Sequence, residues 1–282
     1  MKSDQPRLQL AKQVAGHFAP LPEVEAVALG GSCASKTGAS DSASDIDLYV
    51  FTRGEIPLEI RESIVDRTGG ATQSSLNFNY WGMSDEWIHT PSGLEIDVIY
   101  FDAVWMENEI SRVVEKHQAS LGYTTCFWHT IRHSIPFSDP HAWFSKLQHR
   151  CLIEYPESLR QNIIAMNYPV LRTVIPAYAK QIEKAVARED LVSINHRLAA
   201  FFASYFDIIF AVNRQLHPGE KRLVSLAINN CKSLPANMET DIHSILLTAG
   251  MHMSELPGRL ARFLDCLDTM LEDEGVLRKT AM

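Results

Sequence analysis

Asp45-Ile46-Asp47 opens the apolar run "DIDLYVFT". In a strand, side chains two residues apart project to the same face, so Asp45 and Asp47 stand side by side while Ile46 and Leu48 face the other way. Carboxylates held this close repel each other unless a cation lies between them. A hard divalent ion such as Mg²⁺ takes oxygen ligands, often one or two carboxylates together with substrate phosphates. A short acidic pair at a strand end facing water has the same pattern, so the pair alone does not decide. A third carboxylate, Asp97, sits in the strand-like "GLEIDVIYF", and Glu95, two residues earlier, shares its face. Three or four acids on neighbouring strands can hold two metals on a nucleotide: one acidifies an attacking hydroxyl, the other stabilises the leaving pyrophosphate.

Upstream lies "GGSCASKT", residues 30–37, which has the lysine and threonine of a phosphate-binding P-loop. Its second glycine is replaced by Ser35, and the P-loop backbone needs that glycine to curl around phosphates. The stretch therefore reads as a Gly-Ser turn, with Lys36 a solvated loop residue. An apolar strand, Gly30-Gly31-Ser32, twelve residues, then Asp45-Ile46-Asp47 and a distal third carboxylate follow in order. This order resembles the signature of the nucleotidyltransferase superfamily, which includes DNA polymerase beta. The resemblance covers roughly residues 20–100. A small catalytic domain followed by helices is similar, in layout only, to the bacterial aminoglycoside adenylyltransferases.

That resemblance implies roles. Gly30, Gly31 and Ser32 would form the turn on the nucleotide's phosphates, as backbone N–H groups at such a turn suit anions. Asp45 and Asp47 would be metal ligands. Asp97 would complete the metal site or take the acceptor's proton, with Glu95 competing for the second task. Two Mg²⁺ ions and ATP follow, with a nucleoside monophosphate passing to a hydroxyl of a small acceptor such as an aminoglycoside-like antibiotic. In the helical part, Lys221 of "HPGEKRL" matches a lysine that reaches the triphosphate, and Leu234-Pro235 matches a later helix-turn. The rival expectations are a nucleotide-binding or regulatory protein of the same fold without catalysis, and a protein- or RNA-directed nucleotidyltransferase.

The elements that must position these residues follow from periodicity. Residues 6–19 have helical spacing, with Leu8, Leu10, Val14 and Phe18 as an apolar stripe ended by Pro20 and Pro22. "VEAVALGG" and "DIDLYVFT" read as strands, 57–67 as a short helix, and "DEWIHT" with "LEIDVIYF" as a hairpin across Pro-Ser-Gly. From about residue 140 helical patterns take over: 156–166, 169–187, 190–215, 220–231, 237–250 and 254–273, punctuated by prolines and the "HPGE" turn. The expected fold class is α+β, a small mixed-sheet domain over 1–135 followed by an all-α helical bundle over 136–282.

Composition narrows the partners. The 282 residues are 46% hydrophobic and 21% charged, with a net charge of −8, which is ordinary for a globular chain. Long nucleic acid normally calls for a basic excess, so the acidic balance speaks for small-molecule partners. The five cysteines lack metal-site spacing and read as free thiols of a reducing compartment. The N-terminus has no apolar signal core, and the run "LAAFFASYFDIIFAV" is interrupted by Asp207 and too short to span a bilayer. A cytoplasmic protein is expected, with no membrane partner and no signal for oligomeric state. His129 and His133 have helical metal-site spacing, but "HTIRHSIPFSD" reads as extended, so a chance cluster is expected. Trp81 and Trp87 suit either a stacking surface or the core.

Overall fold

The computed structural model describes residues 4–31, 45–79 and 82–277. Ser32, Cys33, Lys36, Thr37 and Trp81 lie outside the described residues. The chain forms two compact units, one of residues 1–114 with 130–153, the other of 115–129 with 154–282. The chain thus crosses between units three times, rather than once at residue 135, because 130–153 returns to the sheet.

The first unit holds a six-stranded mixed sheet. It begins with α1 (Asp4–Phe18), β1 (Val24–Leu29), β2 (Ile46–Thr52), α2 (Leu58–Arg67) and β3 (Ala71–Phe78). There follow β4 (Ser84–His89), β5 (Glu95–Asp102) and α3 (Ala103–Ile110), and after the excursion β6 (Ile135–Ser138) and α5 (Trp143–Arg150). At the end of that excursion α4 (Cys126–His133) runs across the boundary at 129/130. The strand order is β3-β4-β5-β2-β1-β6. Only β2 and β5 run parallel; the other described pairings are antiparallel.

Strict alternation explains the two sheet faces. On one, Ile46, Leu48 and Val50 of β2 and Ile96, Val98 and Tyr100 of β5 are buried with Val14 and Phe18 of α1 and Ile64 of α2. Each such aliphatic side chain contributes about 1.5–3 kcal/mol by leaving water. The opposite face carries Asp47, Tyr49 and Phe51 on β2, in register with Asp97, Ile99 and Phe101 on β5. At the aromatic end α5 covers it, with the Phe51 ring 5.1 Å from Phe144 and 5.3 Å from Trp143. The acidic end begins where that cover stops.

The buried face also contains charge. Arg61 and Asp85, both 1% exposed, pair at 2.7 Å. Asp85 further accepts from the Tyr100 hydroxyl at 2.6 Å and the Asn77 N–H at 2.7 Å, while Arg61 donates to the Asn77 side chain and the Ile56 carbonyl. This network joins α2, β3, β4 and β5, and burial followed by Asp85 pushes the Tyr100 phenol well above its ordinary range.

The second unit is helical: α6 (Glu157–Arg172), α7 (Tyr178–Val186), α8 (Leu191–Val212), α9 (Leu223–Asn230), α10 (Met238–Met251) and α11 (Leu256–Asp273). α8 exposes Asn195, His196 and Arg197 in its N-terminal half and is buried along its C-terminal half, from Ser204 to Val212. Its rings meet α11, with Tyr205 and Phe263 4.5 Å apart. Asp207, the charge that interrupts the apolar run, is 1% exposed and accepts from the Thr124 N–H and hydroxyl and from Asn167. Asn167 in turn ties down Ser120 and Gly122, so a buried carboxylate and amide hold the 115–129 segment in this unit.

Several local expectations are corrected. β3 was not foreseen, because the serine-rich "ATQSSLNF" lacks an apolar alternation, while the extended reading of "HTIRHSIPFSD" holds from Ile135 to Ser138, which form β6. The segment around His129 and His133 is helical rather than extended, and among the described residues neither joins a metal-capable group. α6 continues through Pro169 to Arg172: placed in the last turn, the proline forfeits a single backbone bond while its carbonyl still accepts from Thr173 and Val174. Trp87 is 2% exposed in the core, not a stacking surface. Among the described residues no helix is long and apolar enough to cross a membrane.

Candidate active site

Parallel pairing of β2 and β5 places Asp47 and Asp97 directly beside each other. The antiparallel pair β4 and β5 adds Glu86, in register with Asp97 from the other side. Three strands thus deliver carboxylates to one row of one face. Glu86, Glu95 and Asp97 offer oxygens that all lie within 4.8 Å of one another. Among the described residues this is the metal-capable group of three or more side chains; Asp45 and Asp47 adjoin it without entering it.

The electrostatics converge on Asp97. Burial, then Asp47, Glu86, Glu95 and Asp45 in that order, push its carboxyl up to about 7. Its Oδ1 is buried without a hydrogen-bond partner among the described residues. A buried acceptor left unpaired among like charges is costly. A divalent cation on Asp97 would satisfy the lone pair and offset the repulsion together, so this donor set of hard oxygens fits Mg²⁺.

The glycine turn abuts the same residues. Gly31 has φ +57, and a β-carbon there would lie 1.7 Å from Oδ2 of Asp47. At Gly30 it would lie 2.0 Å from the Tyr49 ring. The two glycines therefore supply space in which the turn approaches Asp47 and Tyr49. The Gly30 N–H is committed to the Asp47 carbonyl at 2.9 Å, so it does not point outward as a phosphate donor. The Gly31 backbone hydrogen-bonds the Tyr49 hydroxyl, whose pKa burial and then Asp47 nevertheless push up to about 12.

Gly31→Ala is expected to combine left-handed strain of about 1–2 kcal/mol with displacement of the Asp47 carboxylate. Its melting temperature should fall by a few degrees while any metal-dependent activity falls much further; retention of full activity would show that the close approach is dispensable.

Glu86 is the site residue that sequence reasoning missed. The signal was present: in "SDEWIH" the core-forming Trp87 fixes the parity and sends Glu86 to the opposite face. Asp85, one residue earlier, is equally acidic, and without the neighbouring strand nothing says which face matters. Lys221 lies exposed in the turn before α9, whose first residue is Leu223 rather than Glu220.

The sequence model of a domain of unknown function (DUF4037) matches residues 129–223. None of the five carboxylates of the sheet face falls within that stretch. No curated protein matches the chain. Among solved structures, the chain is similar to a nucleotidyltransferase-like protein from Exiguobacterium sibiricum 255-15, with 12% sequence identity and a TM-score of 0.42 over 94% of this chain and 74% of that one.

Proposed function

We propose that the chain is a Mg²⁺-dependent nucleotidyltransferase that moves a nucleoside monophosphate, AMP from ATP in the first instance, to a hydroxyl of a small acceptor. The observation that carries this reading is the row of Asp47, Asp97 and Glu86 on three paired strands beside a glycine turn, with the buried Asp97 oxygen unpaired. Asp45, Asp47 and Asp97 would hold the metal, one or two ions, with Glu86 and Glu95 adjoining. Bound there, Mg²⁺ would supply charge to the phosphates and the leaving pyrophosphate.

The acceptor oxygen forms the new bond to the α-phosphorus as the bond to pyrophosphate breaks, and the hydroxyl proton passes to a carboxylate. Glu86 is the residue assigned to that proton, since it is half-buried and faces Asp97 in register, whereas Glu95 is exposed. The surplus of carboxylates suits a cationic acceptor, which makes aminoglycoside-like antibiotics the first acceptors to screen. Lys221 is assigned to the triphosphate. Lys221→Ala should raise the KM for the nucleotide about tenfold or more with little change in acceptor KM; an unchanged nucleotide KM would remove Lys221 from the assignment.

The direct test is pyrophosphate release with each of the four NTPs, with and without Mg²⁺, against an acceptor panel, accompanied by melting curves. A Mg²⁺-dependent stabilisation by one NTP supports the reading. Absence of both Mg²⁺-dependent nucleotide binding and turnover overturns it.

Asp97 adds a pH dependence. Its folded pKa is near 7, above the ordinary carboxylate value. Between about pH 4 and 7 the folded state therefore keeps a proton that the unfolded state has released, and stability falls as pH rises through that window. A metal competes with this proton. Saturating Mg²⁺ alone is thus expected to raise the melting temperature more at about pH 8 than at about pH 5, and an equal rise at both would detach the metal from Asp97.

A further inference from the structure

His217 opens the turn that leads from α8 to Lys221 and α9, and its side chain is fully buried. The imidazole is wedged edge-to-face between the rings of Tyr123 and Phe210, at 4.9 and 5.1 Å. The His217 backbone N–H donates to the Thr125 hydroxyl at 2.7 Å, and the Gly219 N–H donates to His217 Nδ1 at 3.2 Å. Among the described residues these are the hydrogen bonds that residues 217–221 make, so the turn is fastened through His217. Lys221, at the far end of the turn, is exposed.

The bond from Gly219 requires a neutral ring. Nδ1 accepts only while it carries no proton, which leaves the single proton on Nε2. Nε2 is buried without a hydrogen-bond partner among the described residues. A second proton would therefore break the Gly219 bond and leave a buried cation with no acceptor. The titratable groups around the ring are Tyr123, Cys126 and His129 from the 115–129 segment, Asp207 on α8 one turn before Phe210, and Glu220 on the turn. Asp207 is engaged with Thr124 and Asn167, and Glu220 is exposed and raises the Tyr123 phenol rather than bonding the imidazole. His129 repels a second cation. Burial, followed by His129, accordingly holds the His217 ring down to about 3.

We infer that neutral His217 latches the 217–222 turn, and that protonating it releases the turn and frees Lys221 from its fixed place. As regulation of the nucleotide site the inference rests on the assignment of Lys221 to the triphosphate; the latch itself does not. In the released turn the imidazole returns to its ordinary value of about 6.5. Below that pH the released turn binds a proton that the latched turn refuses, so the latch is complete above it and weakens as pH falls. Release gains about tenfold per pH unit, and about thirtyfold in all between pH 7.5 and 5.0.

The test is hydrogen exchange of the full chain, read by mass spectrometry at pH 7.5 and 5.0 and corrected at each pH against an unstructured peptide. Protection over residues 214–222 is expected to fall about thirtyfold at pH 5.0, while residues 205–212 of α8 stay protected. His217→Asn keeps an acceptor for the Gly219 N–H and cannot titrate, so its protection should be the same at both pH values. His217→Phe fills the ring space and gives the same flat response should the smaller side chain fail to fold. Mg²⁺-ATP at pH 7.5 should slow exchange over 214–222 further. The latch is overturned by equal protection of the wild type at both pH values, by α8 opening in step with the turn, or by the full pH response persisting in both variants. An intact pH response with no slowing by Mg²⁺-ATP overturns the link to the nucleotide site and leaves the latch standing.

Discussion

Asp47→Asn is expected to lower Mg²⁺-dependent turnover by at least about a hundredfold, a loss comparable to removing a principal electrostatic group from other enzymes. The substitution keeps the shape of the side chain and the backbone bond from Gly30, so the fold should persist, with an unchanged far-ultraviolet spectrum. What it removes is one charge from the row. Asp97 then feels one carboxylate fewer, so its pKa moves back towards the ordinary range while its ability to recruit a cation falls. Turnover and Mg²⁺ affinity should drop together. Normal turnover in this variant would dismiss the metal assignment, whatever the fold.

Asp85→Ala is expected to act through stability instead. It leaves the Arg61 guanidinium, 1% exposed, buried with no carboxylate. Breaking a buried ion pair from one side costs about 3–5 kcal/mol. At about 2–4 °C per kcal/mol for chains of this size, the melting temperature should fall by on the order of 10 °C. The Tyr100 hydroxyl and Asn77 N–H lose an acceptor in the same stroke. Glu86→Gln, one residue along, should change the melting temperature little and turnover greatly. A stable Asp85→Ala protein would mean that the α2–β4 network is ornamental to folding.

This pair of neighbours shows what was legible in the sequence. The alternation that sends Asp45 and Asp47 to one face and Ile46 and Leu48 to the other is a property of one strand, and it was readable. So was the strand around Asp97, and so were the long helices of the second unit. Register is a property of two strands, and it decides that Glu86 rather than Asp85 meets Asp97. No single-strand pattern contains it. The extended backbone at Ile135–Ser138 was readable, but its place in the sheet was not, because its partner β1 lies more than a hundred residues away in sequence. The continuation of α6 through Pro169 escaped for a different reason: the cost of proline depends on how much helix follows it. Here little follows.

The excursion of residues 115–129 bears on how the chain tolerates cutting. The sheet unit is not a segment but two segments, and its last strand arrives after the chain has visited the other unit. A fragment ending at residue 135 would keep the acidic row and lose β6 and α5. β1 would become an open edge, with unpaired N–H and C=O groups along the largely apolar run "VEAVAL". Phe51 would also lose the ring of Phe144 above it. Such a fragment is expected to associate through that edge, so permutation of the chain at an exposed loop is a sounder route to a minimal catalytic unit than truncation.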